Sequence, residues 1–311
     1  MAADVAELSF RAMGSDAHVI VVGGPVDGAT RARARIDELE QRWSRFRADS
    51  EISVLNRNAG QFVEVSDDTR LLIERAIEAW RISGGSFDPT VLGALIRAGY
   101  DRSFDTLGDA PAAGLSSLLL GCTDIELTEH AVRLPAGTGF DPGGIGKGLG
   151  ADLVAEETMA AGADGVCINL GGDLRVQGRS PEGEGWTIDI EHPLSSAPIT
   201  RVGVAEGAVA TSTTLRRQWK VEGAPRHHLI DPGTGLPSDS DLTLACVITA
   251  HAWAAEVLAK AVLLRGSAHP FDLLGGTGAQ ALVVDRDGRV IATDGFGAYL
   301  GGAALPERLP G

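Results

Sequence analysis

Cysteine is scarce in this sequence: its 311 residues include only three, and these are far apart. Cys122, Cys167 and Cys246 each stand in an apolar stretch. An odd and scattered set suits neither a disulfide framework nor a zinc site. We therefore expect three buried, reduced thiols and a reducing compartment.

Long apolar segments are missing as well. No run reaches the roughly 18 residues that a helix needs to cross a bilayer, and the nearest approach is the alanine-rich stretch 252–264. The first residues, MAADVAELSFRAMGSDAHVIVV, show neither a basic segment followed by a long apolar one nor a cysteine that can carry a lipid. The sequence therefore predicts a cytoplasmic protein without a membrane partner.

Basic residues are outnumbered by acidic ones. The chain has 27 Lys and Arg against 42 Asp and Glu, which gives a formal charge of −15 at pH 7. Duplex nucleic acid and anionic membranes repel such a chain, so neither is expected as a partner. A small anionic ligand would need a dedicated pocket. The hydrophobic share of 44% is enough to bury a substantial core, in one large domain or two smaller ones.

Helical and strand patterns are mixed along the chain rather than alternating regularly. An early strand over 17–22 precedes helices over 30–46 and 67–82. Short strand patterns bounded by Gly, Pro and Asp cover 125–127, 131–134, 166–170, 174–177, 186–191, 203–209, 227–230, 242–248, 282–284 and 290–293. This mixture predicts an α+β protein.

Two connections carry signals of their own. The tetrad Asp-Arg-Asp-Gly at 285–288 resembles part of a calcium loop but lacks the later ligands, so we predict a hairpin turn. The stretch PAAGLSS at 111–117 predicts a flexible connection.

The most informative segment is a glycine-rich loop, FDPGGIGKGLG, at 140–150. Its glycines surround Lys147, and Asp141 stands just upstream. The loop follows a strand pattern and leads directly into a helical one, so its backbone N–H groups and the positive end of the helix suit a phosphate or diphosphate. A strand-to-helix turn that merely needs glycine explains the same residues equally well.

Two familiar nucleotide-binding patterns fit this loop poorly. Gly146, Gly148 and Ala151 satisfy G-x-G-x-x-A, and Asp173 lies where a ribose-binding acid is expected. The loop does not leave its strand at the first glycine of that pattern, however, because a DPGG segment intervenes. The Walker pattern fails because glycine, rather than Ser or Thr, follows the lysine.

Seven short motifs occur in order along the chain. They are FRAMGS at 10–15, SRFRADSEISVLN at 44–56, SGGSFDPTV at 83–91, FDPGGIGKG at 140–148, INLGGD at 168–173, VATST at 209–213 and HHLIDPGTG at 227–235. Together they resemble the FAD:protein FMN transferase family, the ApbE-type flavin transferases. The resemblance implies one unit over 8–300, made of two α/β lobes with mixed, largely antiparallel sheets and an FAD cleft between them, and a tail over 301–311.

The resemblance also implies which residues bind FAD. These are Met13, Phe46, Ser86, Phe87, Asp88, Asp141, Lys147 and Ile230. Phe46 and Phe87 can stack on a flavin ring, and Asp88 can accept a hydrogen bond from a ring N–H or a ribose hydroxyl. The structural alternatives are that the aromatic rings belong to the core and that Asp88 caps the turn at Pro89.

Catalytic roles follow from the same resemblance. His228 matches the histidine proposed as the base that deprotonates the incoming hydroxyl, and an imidazole with a pKa of about 6.5 suits that task. Hydrogen bonding within a strand is the alternative for this residue. Lys147 can pair with a phosphate group. A second glycine turn, 169–173, is implied to lie against the cofactor, although a plain strand-to-strand turn explains it as well.

The implied metal site is where this chain departs from the family. Relatives close a Mg²⁺ site with an Asp and, four residues later, a Thr, whereas this chain has Glu256 and Lys260; Gly144 is the other implied metal residue. Glutamate can ligate Mg²⁺ but an ammonium cannot, so the metal is in question. Either Glu256 and Lys260 form an ordinary ion pair one helical turn apart, or Lys260 partly substitutes for Mg²⁺ against the diphosphate.

The reaction that the resemblance implies is phosphoryl transfer. A Thr or Ser hydroxyl of an acceptor protein attacks the FMN phosphorus of FAD, AMP leaves, and FMN stays on the acceptor. Two alternatives remain open. One is an FAD-binding protein without transfer activity that stores or delivers flavin, and the other is an FAD pyrophosphatase that uses water as nucleophile and gives FMN and AMP.

Overall fold

The computed structural model describes residues 4–107, 121–221 and 223–309. The chain divides into two compact units, each discontinuous in sequence. The first unit comprises 1–38, 147–215 and 240–311, and the second comprises 39–146 and 216–239. The chain passes from the second unit to the first inside the glycine-rich loop, between Gly146 and Lys147. The connection predicted at 111–117 lies outside the described residues.

The described part of the chain contains six α-helices. They are α1 (Gly28–Trp43), α2 (Glu51–Arg57), α3 (Asp67–Ile82), α4 (Leu92–Arg97), α5 (Gly146–Ala160) and α6 (Ala252–Arg265). The predicted bounds of α3 are confirmed because its start signal is local: the Ser66 hydroxyl accepts a hydrogen bond from the Thr69 amide at 3.3 Å. The end predicted for α1 is wrong. The helix stops at Trp43, and a turn from the Arg47 amide to the Ser44 carbonyl leaves Phe46 outside it.

A main sheet organises the first unit. Within the described residues its strands are, in spatial order, β1 (Val5–Ala12), β2 (Ser15–Val22), β6 (Gly165–Leu170), β7 (Asp173–Gly178), β10 (Gly207–Thr213), β15 (Leu242–Thr249), β16 (Gln280–Asp285) and β17 (Val290–Ala292). Each neighbouring pair is antiparallel. The α+β class with largely antiparallel sheets is therefore confirmed, and the parallel sheet of a dinucleotide fold is excluded for this unit.

The two faces of this sheet are covered differently. One face packs against the hairpin of β8 (Trp186–Ile190) and β9 (Thr200–Val204), with Trp186, Val176 and Phe296 in the shared core. Helix α6 packs against β10 and β15. It is apolar nearly all round because it is buried nearly all round, as a helix without a solvent face must be.

The second unit contains smaller sheets. The strands β3 (Phe62–Glu64), β5 (Ala131–Arg133) and β4 (Glu126–Leu127) form one of them, and two hairpins pair β11 (Gln218–Val221) with β12 (Ala224–His227) and β13 (Ile230–Asp231) with β14 (Leu236–Pro237). Leu95, Tyr100, Trp219 and Ile230 are buried together where α4 meets the first hairpin. The Trp219 indole donates to the Ala98 carbonyl oxygen at 2.7 Å, which fixes this contact.

Two predicted strands have the wrong bounds. The stretch 203–209 is not continuous, because β9 ends at Val204 and Gly207, with φ 145°, starts β10 in another sheet. In the stretch 227–230, β12 ends at His227 and β13 begins at Ile230. The His227 Nδ1 atom accepts a hydrogen bond from the Leu229 amide at 3.3 Å, and this contact turns the chain at His228.

Two other sequence predictions are confirmed, the hairpin turn at 285–288 and the burial of the cysteines. The tetrad 285–288 forms a hairpin turn, in which an Asp285 carboxylate oxygen accepts from the amides of Asp287 and Arg289, both at 2.9 Å. The three cysteines are buried and free, and burial raises the pKa of each thiol to about 12. Among the helices of the described ranges, none is long and apolar enough to cross a bilayer.

Helices α5 and α6 cross closely at Gly148. A Cβ atom at this position would lie 2.7 Å from the Trp253 Cα and closer still to the Ala252 carbonyl group. Glycine is therefore required here for the close approach of two backbones.

Replacing Gly148 by Ala should lower the free energy of unfolding by about 1–3 kcal/mol, because the new methyl group must push α6 away from α5. Chemical denaturation measures this loss. Gly297→Ala is the matched control, since nothing lies within 4 Å of a Cβ built there, and it should stay within about 0.5 kcal/mol of wild type. Equal stability of the two variants would contradict the close crossing.

Candidate functional site

Lys147 lies in the first turn of α5 between two acidic side chains. Its Nζ atom contacts Asp173 Oδ2 and lies 3.1 Å from Glu256 Oε1. The side chains of both acids are only 5% exposed, and that of the lysine is 15% exposed. Glu256 Oε2 accepts a hydrogen bond from the Gly148 amide at 2.8 Å. Both oxygens of Glu256 are thus engaged by the start of α5, and the ammonium is held at the positive end of that helix.

These contacts show the partners of two residues that the sequence analysis singled out, Asp173 and Glu256. Asp173, which the glycine pattern suggested as a ribose-binding acid, pairs with Lys147 inside the chain. Glu256, for which an ion pair with Lys260 was one of two alternatives, contacts the Lys147 ammonium and accepts a hydrogen bond from the Gly148 amide. A positive group fixed at a helix N-terminus suits a phosphate oxygen, so the geometry keeps the predicted role of Lys147 chemically reasonable.

The turn between β6 and β7 lies beside the turn between β1 and β2. The Gly171 amide donates to the Asp16 carbonyl oxygen, and the Gly172 amide donates to Asn169 Oδ1, both at 2.9 Å. Met13, in the β1–β2 turn, has φ 50°, a left-handed conformation that is uncommon for a long side chain. The segment predicted to carry Met13 and the second glycine turn are therefore neighbours at one end of the main sheet.

A buried carboxylate joins α5 to α6. Asp152 Oδ1 and Oδ2 accept hydrogen bonds from the amides of Ala252 and Trp253, each at 2.9 Å, and so cap the N-terminus of α6. The Arg175 Nε atom lies 3.4 Å from the same carboxylate, and both side chains are about as buried as the core around them. Burial raises the pKa of Asp152 from 3.8 to about 6, although the two amides and Arg175 oppose that rise.

In the second unit, Arg45 connects two residues predicted to bind FAD. Its Nε atom lies 2.8 Å from Asp141 Oδ1, and its guanidinium carbon lies 4.2 Å from the centre of the Phe46 ring. The backbone next to Asp141 is also fixed, because Asn56 exchanges two hydrogen bonds with the main chain of Phe140, at 2.7 and 2.9 Å. Arg45 therefore links Phe46 and Asp141 within the second unit.

The turn after α3 carries Ser86, Phe87 and Asp88. Ser86 is half-buried, whereas Phe87 and Asp88 are only 4% and 6% exposed. Asp88 Oδ1 accepts from the Thr90 amide at 2.7 Å and from the Thr90 hydroxyl. Burial raises the pKa of Asp88, although these hydrogen bonds oppose the rise. The geometry thus gives Asp88 the capping role that was the structural alternative, and binding of a ligand by these residues stays a prediction.

His227 holds the segment that carries His228. The His227 Nε2 atom donates to the Ser238 carbonyl oxygen at 3.0 Å while Nδ1 accepts from the Leu229 amide, so the ring is neutral in one tautomer. Burial lowers the pKa of His227, which favours that neutral form. His228 itself is half-buried at the bend, and Ile230 is buried against Tyr100 and Trp219.

Sequence reasoning missed Asp152 and Arg45. Asp152 stands among small and apolar residues early in the helical stretch after the glycine-rich loop, which is a usable signal because a carboxylate buried there needs partners. Arg45 gives no such signal, since it stands in a charged segment that reads as solvent-exposed. Its contacts depend on Asp141, which is distant in sequence.

The side chains at the implied metal positions either have protein partners or carry a positive charge. Glu256 has both oxygens engaged, and a protonated Lys260 has no lone pair to offer. In the ranges that the structure describes, no group of three or more His, Cys, Asp or Glu side chains is arranged to hold a metal ion. Gly144 is buried in the loop before α5, in the second unit.

The ApbE family model matches residues 13–283 of this chain. Over 283 aligned residues the chain is 30% identical to the FAD:protein FMN transferase of Treponema pallidum (strain Nichols), which covers 84% of this chain and 78% of that protein. It is 27% identical over 282 residues to the FAD:protein FMN transferase of Haemophilus influenzae, with 84% and 81% covered.

Solved structures give the same picture of the fold. The ApbE protein of Thermotoga maritima has a TM-score of 0.86 at 23% identity and covers 96% of this chain and 99% of its own. The flavin transferase ApbE of Vibrio cholerae has a TM-score of 0.83 at 22% identity, with 96% and 100% covered. At these identities the likeness shows the fold alone.

The raised pKa of Asp152 predicts a pH dependence of stability. Between about pH 6 and 4 the folded chain holds a proton on Asp152 that the unfolded chain does not hold, so this group stabilises the fold more as the pH falls. From pH 7 to pH 5 the wild type should gain about 1 kcal/mol in free energy of unfolding relative to Asp152→Asn. Urea denaturation at the two pH values measures the difference, and parallel changes in both proteins would contradict it.

Proposed function

The chain belongs to the ApbE family, and on that premise we propose that it transfers the FMN part of FAD to a Thr or Ser side chain of an acceptor protein and releases AMP. The observation that carries this proposal is the family match over residues 13–283. The named relatives are FAD:protein FMN transferases that share most of their length with this chain, which supports the same activity here.

The chemistry needs one bond made and one broken. The acceptor hydroxyl oxygen forms a bond to the FMN phosphorus, and the anhydride bond between that phosphorus and the bridging oxygen breaks. The hydroxyl proton passes to a base, and the bridging oxygen leaves with AMP. Such a transfer depends mostly on positioning and on neutralising negative charge.

Lys147 is the residue that we assign to charge neutralisation. Its ammonium is largely buried and is held by Asp173 and Glu256 at the positive end of α5. A cation fixed in this way stabilises developing negative charge without having to reorganise during the reaction. Asp173 and Glu256 position the ammonium group, and in this proposal they contact the lysine but not the substrate.

His228 is the residue that we assign as the base. It lies at a bend whose geometry is set by its neighbour His227, and an imidazole has the proton affinity that general-base catalysis at neutral pH needs. Met13, Phe46, Ser86, Phe87, Asp88, Asp141 and Ile230 remain the proposed FAD-binding residues. Of the two aromatic residues in this set, Phe46 is 41% exposed and Phe87 is 4% exposed.

The proposed reaction includes no step through Mg²⁺, because the residues at the implied metal site do not fit that ion. Glu256 is engaged by Lys147 and Gly148, and Lys260 cannot ligate. We propose that the ammonium groups of Lys147 and Lys260 together take the place of the metal against the diphosphate. An acceptor flavoprotein is the expected partner, its identity is open, and a cytoplasmic location stays a prediction.

Incubating the chain with FAD and an apo flavoprotein that carries an accessible Thr or Ser should add one FMN to that acceptor, as measured by intact-protein mass spectrometry. Lys147→Met should slow the transfer about 100-fold or more, because the leaving AMP loses its fixed cation. Lys220→Met, at an exposed position of β11, is the control and should transfer normally. FMN and AMP released without acceptor modification would indicate a pyrophosphatase, and tight binding of intact FAD would indicate a binding protein.

FAD should bind with the same affinity, within about twofold, in EDTA and in millimolar Mg²⁺, since ammonium groups replace the metal. The double variant Glu256→Asp with Lys260→Thr should gain Mg²⁺ binding, because the shorter acid withdraws from Gly148 and Thr offers a neutral ligand oxygen. Calorimetric titration of Mg²⁺ into both proteins measures this. Strict Mg²⁺ dependence of FAD binding by the wild type would refute the replacement.

A further inference from the structure

Arg45 is a buried cation that has no role in the proposed reaction as described above. Its side chain is 7% exposed, and it makes three kinds of contact within the second unit. The Nε atom lies 2.8 Å from Asp141 Oδ1, and an Nη atom donates to the Tyr100 carbonyl oxygen at 3.0 Å. The guanidinium also lies over two aromatic rings, at 4.2 Å from the Phe46 centre and 4.5 Å from the Tyr100 centre.

These contacts need an arginine. A planar guanidinium can donate to a carboxylate and a carbonyl while its faces lie against aromatic rings, whereas a lysine offers a compact charge without a face. The backbone around it is held independently, since the Ser53 hydroxyl donates to the Arg45 carbonyl oxygen and the Asp141 amide donates to the Pro89 carbonyl oxygen. Arg45 and Asp141 therefore meet in a fixed geometry.

The aromatic rings beside Arg45 differ in exposure. Tyr100 and Trp219 are 8% and 7% exposed and lie 5.3 Å apart between centres, so they belong to the core of the unit. Phe46, whose ring centre is 5.7 Å from that of Tyr100, is 41% exposed. Packing against Arg45 and Tyr100 on its inner side leaves the Phe46 ring available on its outer side, as a platform for a flat ligand ring.

Charge gives Arg45 a second effect. In a protein of net charge −15, a poorly exposed carboxylate such as Asp141 repels an anionic ligand unless a cation cancels it. The arginine lies in direct contact with this acid, so Asp141 can stand beside a phosphate-bearing ligand and still accept hydrogen bonds on its remaining lone pairs.

We propose that Arg45 is the positioning residue for the flavin half of FAD: it holds the Phe46 ring as a stacking platform and cancels the charge of Asp141. The inference rests on the proposed function, since it names the residue that prepares this chain for its flavin substrate. It concerns the flavin half alone, so the two halves of FAD should respond differently to changes at Arg45.

The test compares the affinities for FMN, AMP and FAD in wild type, Arg45→Met, Arg45→Lys and the double variant Arg45→Met with Asp141→Asn. Arg45→Met should weaken FMN and FAD binding about tenfold or more and leave AMP binding unchanged, because a charge-assisted contact and a ring contact are lost together. Arg45→Lys should fall between wild type and Arg45→Met. The double variant should recover part of the FMN affinity, because the uncancelled charge is gone. A purely structural role for Arg45 does not predict that recovery.

Arg47→Met is the matched control. Arg47 stands two positions further along the same segment, is half exposed, and reaches Asp49 only at 4.0 Å. It should bind all three ligands as the wild type does. Circular dichroism establishes that each variant is folded before binding is measured, and the conservative Arg45→Lys and the charge-balanced double variant keep the test informative if Arg45→Met does not fold.

The outcomes separate the two levels of the proposal. Wild-type protein that binds neither FAD nor FMN would end the proposed function, and the role of Arg45 with it. Wild-type binding of FAD with unchanged FMN affinity in the folded Arg45 variants would overturn the role of Arg45 alone. Equal weakening of FMN and AMP, or a double variant no better than Arg45→Met, would also overturn that role, because the effect would then be general loss of structure.

Discussion

The close crossing of α5 and α6 is the constraint on which the candidate site of the first unit depends. Gly148 lets the two backbones approach, Asp152 caps the start of α6, and Glu256 reaches back to the Gly148 amide. A lysine side chain is a flexible stem of four carbons, so its ammonium group would otherwise sample many positions. The Lys147 ammonium meets Glu256 across this helix crossing and Asp173 at the start of β7, and these two contacts hold it in place. The chemistry proposed for Lys147 is therefore a consequence of helix packing.

In the second unit, an arginine rather than a lysine is the basic partner of a poorly exposed acid. Asp141 is held by Arg45, and Arg45 is held by the Tyr100 carbonyl oxygen and two aromatic rings. In both units a poorly exposed acid has a basic partner within the chain, which avoids the large desolvation cost of an unpaired buried charge. In an acidic protein this pairing also decides whether an anion can approach. Lys147 and Arg45 thus serve the fold and the proposed ligand at once.

Local signals made part of the fold predictable, and long-range contacts account for the rest. The bounds of α3 and the turn at 285–288 follow from a serine cap and an Asp that binds the next amides, so neighbouring residues suffice. The strand pattern over 203–209 is interrupted because β9 and β10 belong to different sheets, and no signal in the neighbouring residues predicts that change of sheet. The motif order pointed to the family and to candidate residues, but the partners of those residues come from other elements. Only the structure shows that Lys147 pairs with Asp173 and that Asp141 pairs with Arg45.

Charge balance explains how α6 can carry Glu256 and Lys260 where the resemblance implies metal ligands. Asp173 and Glu256 bring two negative charges into a poorly solvated place, and Lys147 with the positive end of α5 offsets most of them. Lys260 is half-buried on α6, one helical turn beyond Glu256, so this stretch of the helix carries a further positive group. A site that is already near neutral has little attraction for a divalent cation. A neutral residue at position 260 would not by itself change this, because Lys147 and Gly148 would still hold both oxygens of Glu256. To bind a metal ion, the Glu256 carboxylate would have to leave Lys147 and Gly148. The close crossing of α5 and α6 keeps these two partners beside it.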